Sequence, residues 1–237
     1  MGLQWRDSTS HRKNIIMHID ITHDAGVTDV IIAGWAGRHK EDVEHHIQEL
    51  ALLGVAPPST TPLFYQVSVD RLTQAHNIAV VGDNTSGEAE PVLLATRDGL
   101  LVGIGSDHTD RTCENFSVAL SKQVCPKVVG QQFWRYEDVQ PYWDDLYLRS
   151  YLHDGDTRIL YQNGQLSSLL RPEVLMQQSP RQTASGLLEN GTVMFCGTTV
   201  AIGGIVPTPK LTVELFDPVK EKTLSHTYIV TCLPVVA

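Results

Sequence analysis

Two apolar runs joined by Asp98-Gly99 constrain the fold of this chain more than any other feature. The segment Pro91–Thr96 precedes the dipeptide, and Leu100–Ile104 follows it. Asp-Gly between two such runs strongly favours a two-residue type I′ turn. The sequence therefore predicts a tight antiparallel hairpin in the middle of the chain.

Most of the remaining chain is also predicted to form short strands. From Pro62 onward, apolar runs are separated by turns rich in Gly, Pro and Asp, and no βαβα alternation is present. Two further β-like runs, Asn14–Ile21 and Val27–Ala33, lie near the N-terminus. This pattern is typical of a mixed, barrel-like or rolled sheet.

Two segments have the character of helices. In His39–Leu53, the residues Val43, Ile47 and Leu50 have the spacing of one helix face, and Gly54 follows as a stop signal. The second candidate is the aromatic and acidic segment 133–150.

We therefore predict an α+β, mostly β fold with a short N-terminal helical region. A single domain is expected over residues 1–237. Residues 1–60 would contribute the N-terminal strands and the helix, and residues 61–237 would form the β-rich core.

Composition narrows the class of partner. The 237 residues include 18 Lys+Arg and 27 Asp+Glu, which gives a net charge of −9. This charge argues against nucleic acid or an anionic membrane as the main partner, whereas excess carboxylates suit a hard cation. No apolar run approaches the roughly 20 residues of a membrane helix. Without a signal-peptide core or a CxxC pair, we expect reduced cysteines and a cytoplasmic location.

Three carboxylates lie close to the predicted hairpin. Glu88 and Glu90 are two residues apart before the first apolar run, so on a strand they share a face. With Asp98-Gly99 at the turn, paired positions sum to 197, which places Glu90 opposite Asp107. Three converging carboxylates repel one another unless a proton or cation intervenes. The cluster therefore indicates a site for Mg²⁺ or Mn²⁺, with Ca²⁺ as a further candidate, against the alternative of a solvated acidic strand end.

Four segments in one order resemble motifs of the fumarylacetoacetate hydrolase family. They are Glu88-x-Glu90 with Gly105–Arg111, the stretch Ser121–Pro126, the stretch 153–165, and Asn190–Gly203. Here only a short hairpin joins the E-x-E pair to its Asp, where the family usually places a helix. The chain is therefore similar to a shortened branch, like the bacterial domain of unknown function DUF2848.

The resemblance implies a fold and a set of roles. It implies a mixed β-roll with Glu88, Glu90 and Asp107 as metal ligands and Lys122 as a functional lysine. It also places Gln162 on the family's glutamine. Thr198 lies in a glycine-flanked turn, where its hydroxyl and nearby amides would hold a substrate carboxylate, and a simple β-turn is the alternative. Arg111 is a further candidate, paired either with Asp110 or with a substrate carboxylate.

A histidine–glutamate pair is the candidate for water activation. His46 and Glu49 are three residues apart, so they are neighbours on the predicted helix. The family carries such a pair on a short helix, where Glu orients the imidazole and His takes a proton from water. Roughly two extra residues in this chain keep His45 as an alternative to His46, and a hydrogen-bonded core histidine is the non-catalytic alternative.

These features predict a metal-dependent hydrolase or lyase that cleaves a C–C bond in a small 2-oxo acid or 1,3-diketo acid. The alternatives are a hydratase, decarboxylase or C–N lyase with the same metal site, and a non-catalytic, metal-stabilised binding module. Family members usually associate as dimers, so a homodimer is expected.

Overall fold

Strands dominate the computed structural model, which describes residues 16–21, 26–52 and 56–236. The strands are β1 (Met17–His18), β2 (Asp29–Gly34), β3 (Leu63–Val67), β4 (Leu72–Thr73), β5 (Asn77–Val81), β6 (Thr85–Ser86), β7 (Ala89–Thr96), β8 (Gly99–Asp107), β9 (Thr109–Asp110), β10 (Lys127–Val129), β11 (Gln132–Arg135), β12 (Tyr147–Asp154), β13 (Thr157–Gln165), β14 (Thr192–Phe195), β15 (Lys210–Asp217) and β16 (Lys222–Leu233). The helices are α1 (Lys40–Leu52), α2 (Arg111–Glu114), α3 (Val118–Val124), α4 (Tyr136–Val139) and α5 (Pro172–Gln178), with 3₁₀ turns at Val69–Arg71, Gln140–Asp145 and Leu166–Ser168.

Two large mixed sheets organise these strands. The larger sheet has the order β1-β11-β8-β7-β14-β2-β3, and β10 joins it by pairing with both β8 and β4. The second sheet has the order β13-β12-β15-β16-β5, and β6 pairs with β9 separately. Pairing is antiparallel except between β14 and β2, β16 and β5, and β10 and β4. The predicted α+β, mostly β fold is confirmed.

The β7–β8 hairpin is present, but its turn is shifted by one residue from the prediction. Thr96 pairs with Gly99, so Arg97-Asp98 form the turn and paired positions sum to 195 rather than 197. The Thr96 hydroxyl stabilises this turn because it donates to Gly99 O at 2.8 Å and accepts from Asp98 N at 3.2 Å. Gly99 has φ of 126°, which a residue with a side chain rarely adopts. The register is continuous through β8, without a bulge.

The larger sheet is buried on both faces. Alternating residues of β7 enter two hydrophobic clusters: Val92 and Leu94 pack in one, and Leu93 and Ala95 in the other. Every residue of β7 from Ala89 to Ala95 is buried. The carboxylates at the start of the hairpin consequently lie at the edge of a packed core, with little access for water.

The segment 133–150 is not the continuous helix that was predicted. It contains the end of β11, the single turn α4, the 3₁₀ turn Gln140–Asp145 and the start of β12. Pro141 interrupts the helix, because proline lacks the N–H that an interior position needs. Trp143 is buried, and Asp144 binds Arg38 through both carboxylate oxygens at 2.7 and 2.8 Å.

The N-terminal elements agree in kind with the prediction and differ in length. β1 covers two residues of the predicted run Asn14–Ile21, whose first two residues lie outside the described part. β2 lies between parallel β14 and the antiparallel edge strand β3. α1 starts one residue later than the predicted helix, whose last residue, Leu53, lies outside the described residues. Among the described residues, no helix is long and apolar enough to cross a membrane.

Candidate active site

Glu88, Glu90 and Asp107 converge at one end of the β7–β8 hairpin. Each offers a carboxylate oxygen, and the three oxygens lie within 4.8 Å of one another. Glu90 and Asp107 are buried, and the Glu88 side chain is 19% exposed. Asp107 N donates to Glu88 O at 3.1 Å, so Asp107 lies opposite Glu88 rather than Glu90. The predicted convergence is found despite this correction, because a register change of two residues leaves each side chain on the same face.

Three cationic side chains surround the carboxylates. Lys122 Nζ binds Asp107 Oδ2, and Lys127 Nζ lies 2.9 Å from Asp107 Oδ1. Arg111 Nη2 lies 3.2 Å from Glu88 Oε1. The chain itself therefore supplies counter-charge to its acids. Charge balance alone therefore does not require a bound cation at these three acids.

Burial and charge act in opposite directions on these groups. Burial by itself would raise the pKa of Asp107, but Lys122 and Lys127 outweigh it and hold that pKa well below its usual value. Burial, followed by repulsion from Asp107, raises the pKa of Glu90 well above its ordinary value. Burial would lower the pKa of Lys122, yet attraction by Asp107, Glu88 and Glu90 raises it, so Lys122 keeps its proton.

The acid cluster has the donor chemistry of a hard-cation site. Three carboxylates give an all-oxygen set, and Mg²⁺–oxygen distances of about 2.0–2.1 Å place opposite ligands about 4.2 Å apart. The three oxygens, which lie within 4.8 Å of one another, would have to move closer by at most about 0.6 Å to meet that limit for Mg²⁺. In addition, Asp107 Oδ1 is buried without a hydrogen bond despite the nearby Lys127 ammonium. The residues present therefore fit Mg²⁺, Mn²⁺ or Ca²⁺.

A hydrogen-bonded loop closes one side of the cluster. Gly197 N donates to Glu90 Oε2 at 2.8 Å, and the adjacent Thr198 hydroxyl donates to Ala89 O at 2.8 Å. Gln162 ties this loop to β7, because its Nε2 donates to Thr198 Oγ1 while its Oε1 accepts from Ala89 N. Nε2 also donates to Thr199 O, and Oε1 also accepts from the Ser150 hydroxyl. Gln162 and Thr198 thus lie at the site as predicted, with their polar atoms committed to holding its frame.

Arg111 is held by partners other than those predicted. Its Nε donates to Ser86 Oγ at 2.6 Å and its Nη1 to Glu114 Oε2 at 2.7 Å. Asp110, the predicted partner, instead caps α2, accepting from Thr112 N and Cys113 N at 2.9 Å. Arg111 Nη2 is buried and pairs with Glu88 Oε1 at 3.2 Å without a well-aligned hydrogen bond. A substrate carboxylate that binds this nitrogen would therefore share it with Glu88.

His108 faces away from the acids, as strand alternation predicts. Its ring lies between Tyr228 Oη at 3.0 Å and Thr85 Oγ1 at 2.9 Å, and Ser106 also contacts Tyr228 Oη at 2.8 Å. Burial, with the nearby Lys127 and Arg111 charges, lowers the pKa of His108 to about 3. His108 is therefore a neutral core residue that supports the hairpin from behind.

The histidine–glutamate pair cannot be placed from side-chain positions. The backbone of α1 is described, but the side chains of His46 and Glu49 lie outside the described residues. The alternative residue, His45, is exposed.

Lys127 is the site residue that sequence reasoning missed. It directly opposes Asp107 in the β10–β8 pair and is fully buried. The available signal was a charged residue at the head of the apolar run Lys127–Val129. This lysine can be assigned to the site only when the pairing of β10 with β8 is known. Cys113, Cys125 and Cys196 are free thiols, and the last two are buried.

Solved structures with the same fold include two proteins with little sequence identity to this one. Cg1458 superposes with a TM-score of 0.57 at 15% identity, covering 89% of this chain and 78% of that chain. A 2-keto-3-deoxy-D-arabinonate dehydratase complexed with magnesium and 2,5-dioxopentanoate superposes with a TM-score of 0.57 at 14% identity, covering 86% and 74%. Both structures have the fumarylacetoacetate hydrolase fold, so the fold that the resemblance implied is confirmed.

No curated protein matches the chain at a significant level. Residues 33–228 match the family described as "Protein of unknown function (DUF2848)". This match covers most of the chain, including every predicted site residue from α1 to Thr198. The chain therefore belongs to the DUF2848 family, on a fumarylacetoacetate hydrolase fold.

Proposed function

We propose that this protein is a Mg²⁺- or Mn²⁺-dependent enzyme that acts as a hydrolase or lyase on a small 2-oxo acid or 1,3-diketo acid. The observation that carries the proposal is the convergence of Glu88, Glu90 and Asp107 within 4.8 Å, with Lys122 bound to the last of them. The dehydratase of the same fold, which is complexed with magnesium and 2,5-dioxopentanoate, supports a metal ion and a dioxo acid as ligands of this chain.

The three carboxylates would hold the cation. When bound, it supplies a Lewis acid to the adjacent oxygens of a 2-oxo carboxylate, where negative charge develops during bond cleavage. Gly197 N keeps Glu90 oriented, because it binds Oε2 and leaves Oε1 for other interactions.

Two cationic groups would serve the substrate. Lys122 keeps its proton at Nζ and places a positive charge beside Asp107, where it stabilises negative charge on a substrate oxygen. Arg111 Nη2 pairs with Glu88 at 3.2 Å without a well-aligned hydrogen bond, and it would donate to the substrate carboxylate once the cation takes Glu88 as a ligand. Gln162 and Thr198 would position the loop that faces the substrate, and a direct contact from Thr198 would require its hydroxyl to leave Ala89 O.

The reaction depends on whether water attacks. In C–C hydrolysis, His46 would take the proton from water and Glu49 would orient the imidazole. The second candidate is dehydration of a hydroxylated 2-oxo acid, favoured by the dehydratase that shares this fold. Dehydration breaks a C–H and a C–O bond, so it needs a base that takes the proton from carbon and a proton donor at the leaving hydroxyl, but no base that activates water.

A panel of oxo acids tests the proposal. Purified protein is incubated with acylpyruvates, oxaloacetate and 3-deoxy-2-oxo sugar acids, with Mg²⁺, with Mn²⁺ or with a chelator, and products are identified by NMR. We expect turnover of one class that the chelator abolishes. Release of pyruvate and a carboxylic acid indicates C–C hydrolysis, whereas loss of water alone indicates dehydration.

Glu90→Gln separates the metal site from other causes of inactivity. It keeps an acceptor for Gly197 N and removes one ligand charge, so divalent-cation binding and turnover should fall at least about a hundredfold in a folded protein. Glu214→Gln is the control, because Glu214 is a largely buried carboxylate on β15 that pairs with Arg158. Unchanged Mg²⁺ and Mn²⁺ affinity in Glu90→Gln by calorimetry would contradict the metal assignment.

A further inference from the structure

Two aromatic side chains, one just after β2 and one on the adjacent strand β3, lie near the lysine that binds Asp107. Trp35 follows the last residue of β2, and Tyr65 lies in β3. Trp35 Nε1 donates to Tyr65 Oη at 3.3 Å. The Tyr65 ring centroid is 5.6 Å from Lys122 Nζ, which binds Asp107. The two rings are therefore linked to the acid cluster through Lys122.

The backbone around Trp35 contacts the cluster on a second side. A Cβ atom on Gly34 would lie 2.7 Å from Tyr65 Cε2, so the Tyr65 ring rests directly on this backbone. A Cβ atom on Gly197 would lie 2.8 Å from the Cβ of Ala36, and Gly197 N is the donor to Glu90. The segment 34–36 thus packs between the groups that hold Glu90 and the groups that hold Asp107.

Trp35 has a backbone conformation that disfavours its own side chain. Its φ is 58°, in the left-handed region where bulky residues are rare and a glycine is more stable. Such conformations persist where the surrounding structure holds them, and they concentrate at ligand sites. The Trp35 side chain is also only partly buried, so core packing does not account fully for an indole at this position.

We propose that Trp35 and Tyr65 form an aromatic wall of the substrate site, and that the substrate is a 2-oxo acid carrying a flat, apolar substituent. This inference rests on the proposed function. The oxo-acid head would bind at Glu88, Glu90, Asp107 and Lys122, and the substituent would pack against the two rings. Aromatic rings contribute large contact areas at low entropic cost, so the wall selects among oxo acids with the same head.

Binding of two oxo acids to the Mg²⁺-loaded protein tests this wall. Pyruvate carries only a methyl substituent, and phenylpyruvate carries a flat aromatic one. We expect the wild type to bind phenylpyruvate at least about tenfold more tightly than pyruvate by calorimetry. Trp35→Gly should remove that preference and keep pyruvate affinity. It should leave the melting temperature unchanged or raised, because glycine relieves the left-handed conformation.

A second wall variant and a control variant on the other sheet complete the test. Tyr65→Leu should also reduce the preference, whereas Tyr151→Ala should retain it, since Tyr151 is a partly exposed ring stacked 3.8 Å from Arg158 on the other sheet. The wall is wrong if the wild type shows no preference, or if Trp35→Gly keeps the preference. If neither acid binds the metal-loaded wild type, the proposed function fails as well, whereas pyruvate binding without a preference overturns the wall alone.

Discussion

Lys122 lies where a protein cation and a bound metal ion would compete for the same carboxylate. Its ammonium binds Asp107 in a nearly fully buried pair. Lys122→Met keeps most of the apolar stem and removes the charge. Breaking a buried pair costs about 3–5 kcal/mol when one charge is left alone, but Lys127 remains 2.9 Å from Asp107. We therefore expect a cost of about 2–3 kcal/mol and a fall in melting temperature of about 4–12 °C without metal.

The same substitution should tighten metal binding. A single positive charge and a divalent cation about 5 Å apart repel by about 6–7 kcal/mol at an effective dielectric constant of about 20. Part of this repulsion is relieved when the lysine side chain moves. We expect Mg²⁺ to bind Lys122→Met at least about tenfold more tightly than the wild type, while turnover of an oxo acid falls.

Calorimetric titration with Mg²⁺ and thermal melts with and without Mg²⁺ measure both effects. Lys220→Met is a matched control. Lys220 Nζ lies 5.7 Å from the Tyr142 ring, as Lys122 Nζ lies 5.6 Å from the Tyr65 ring, but Lys220 is not part of the acid cluster. The control should leave Mg²⁺ affinity unchanged. Equal or weaker Mg²⁺ affinity in Lys122→Met would refute the idea that Lys122 opposes a cation at Asp107.

Three further outcomes are expected. Gln162→Leu leaves several buried partners unsatisfied and should lower the melting temperature by about 6–12 °C, whereas Leu at the exposed Gln165 of the same strand should change it little. If the reaction is hydrolytic, His46→Gln should lower kcat by about 10²–10⁴-fold and leave the metal affinity unchanged. If His46→Gln is fully active and His45→Gln is inactive, the base is His45 rather than His46. Light scattering should give twice the chain mass of 26.2 kDa, and a mass near one chain at micromolar concentration would contradict the homodimer.

The local sequence pattern was sufficient to predict the β7–β8 hairpin and to predict that its three carboxylates lie on one face. The turn was misplaced by one residue because Asp98-Gly99 also suits a turn in which Gly99 opens the second strand. The convergence of Glu88, Glu90 and Asp107 survived that error, since side-chain direction in a strand repeats every two residues. Conversely, the prediction of one helix over 133–150 from its composition is wrong, because Pro141 and the burial of aromatic rings outweigh the local helix propensity.

By itself, the sequence determined the mostly β fold class, its family and the three carboxylates, because these depend on neighbours along one hairpin and on motifs in order. The tertiary structure alone decided which cations meet those carboxylates. Lys127 reaches Asp107 only because β10 pairs with β8, and Trp35 reaches Tyr65 only because β2 pairs with β3. Such pairings join segments about 20 to 30 residues apart. Which strands pair depends on the burial of whole sheet faces and not on the sequence of either segment alone.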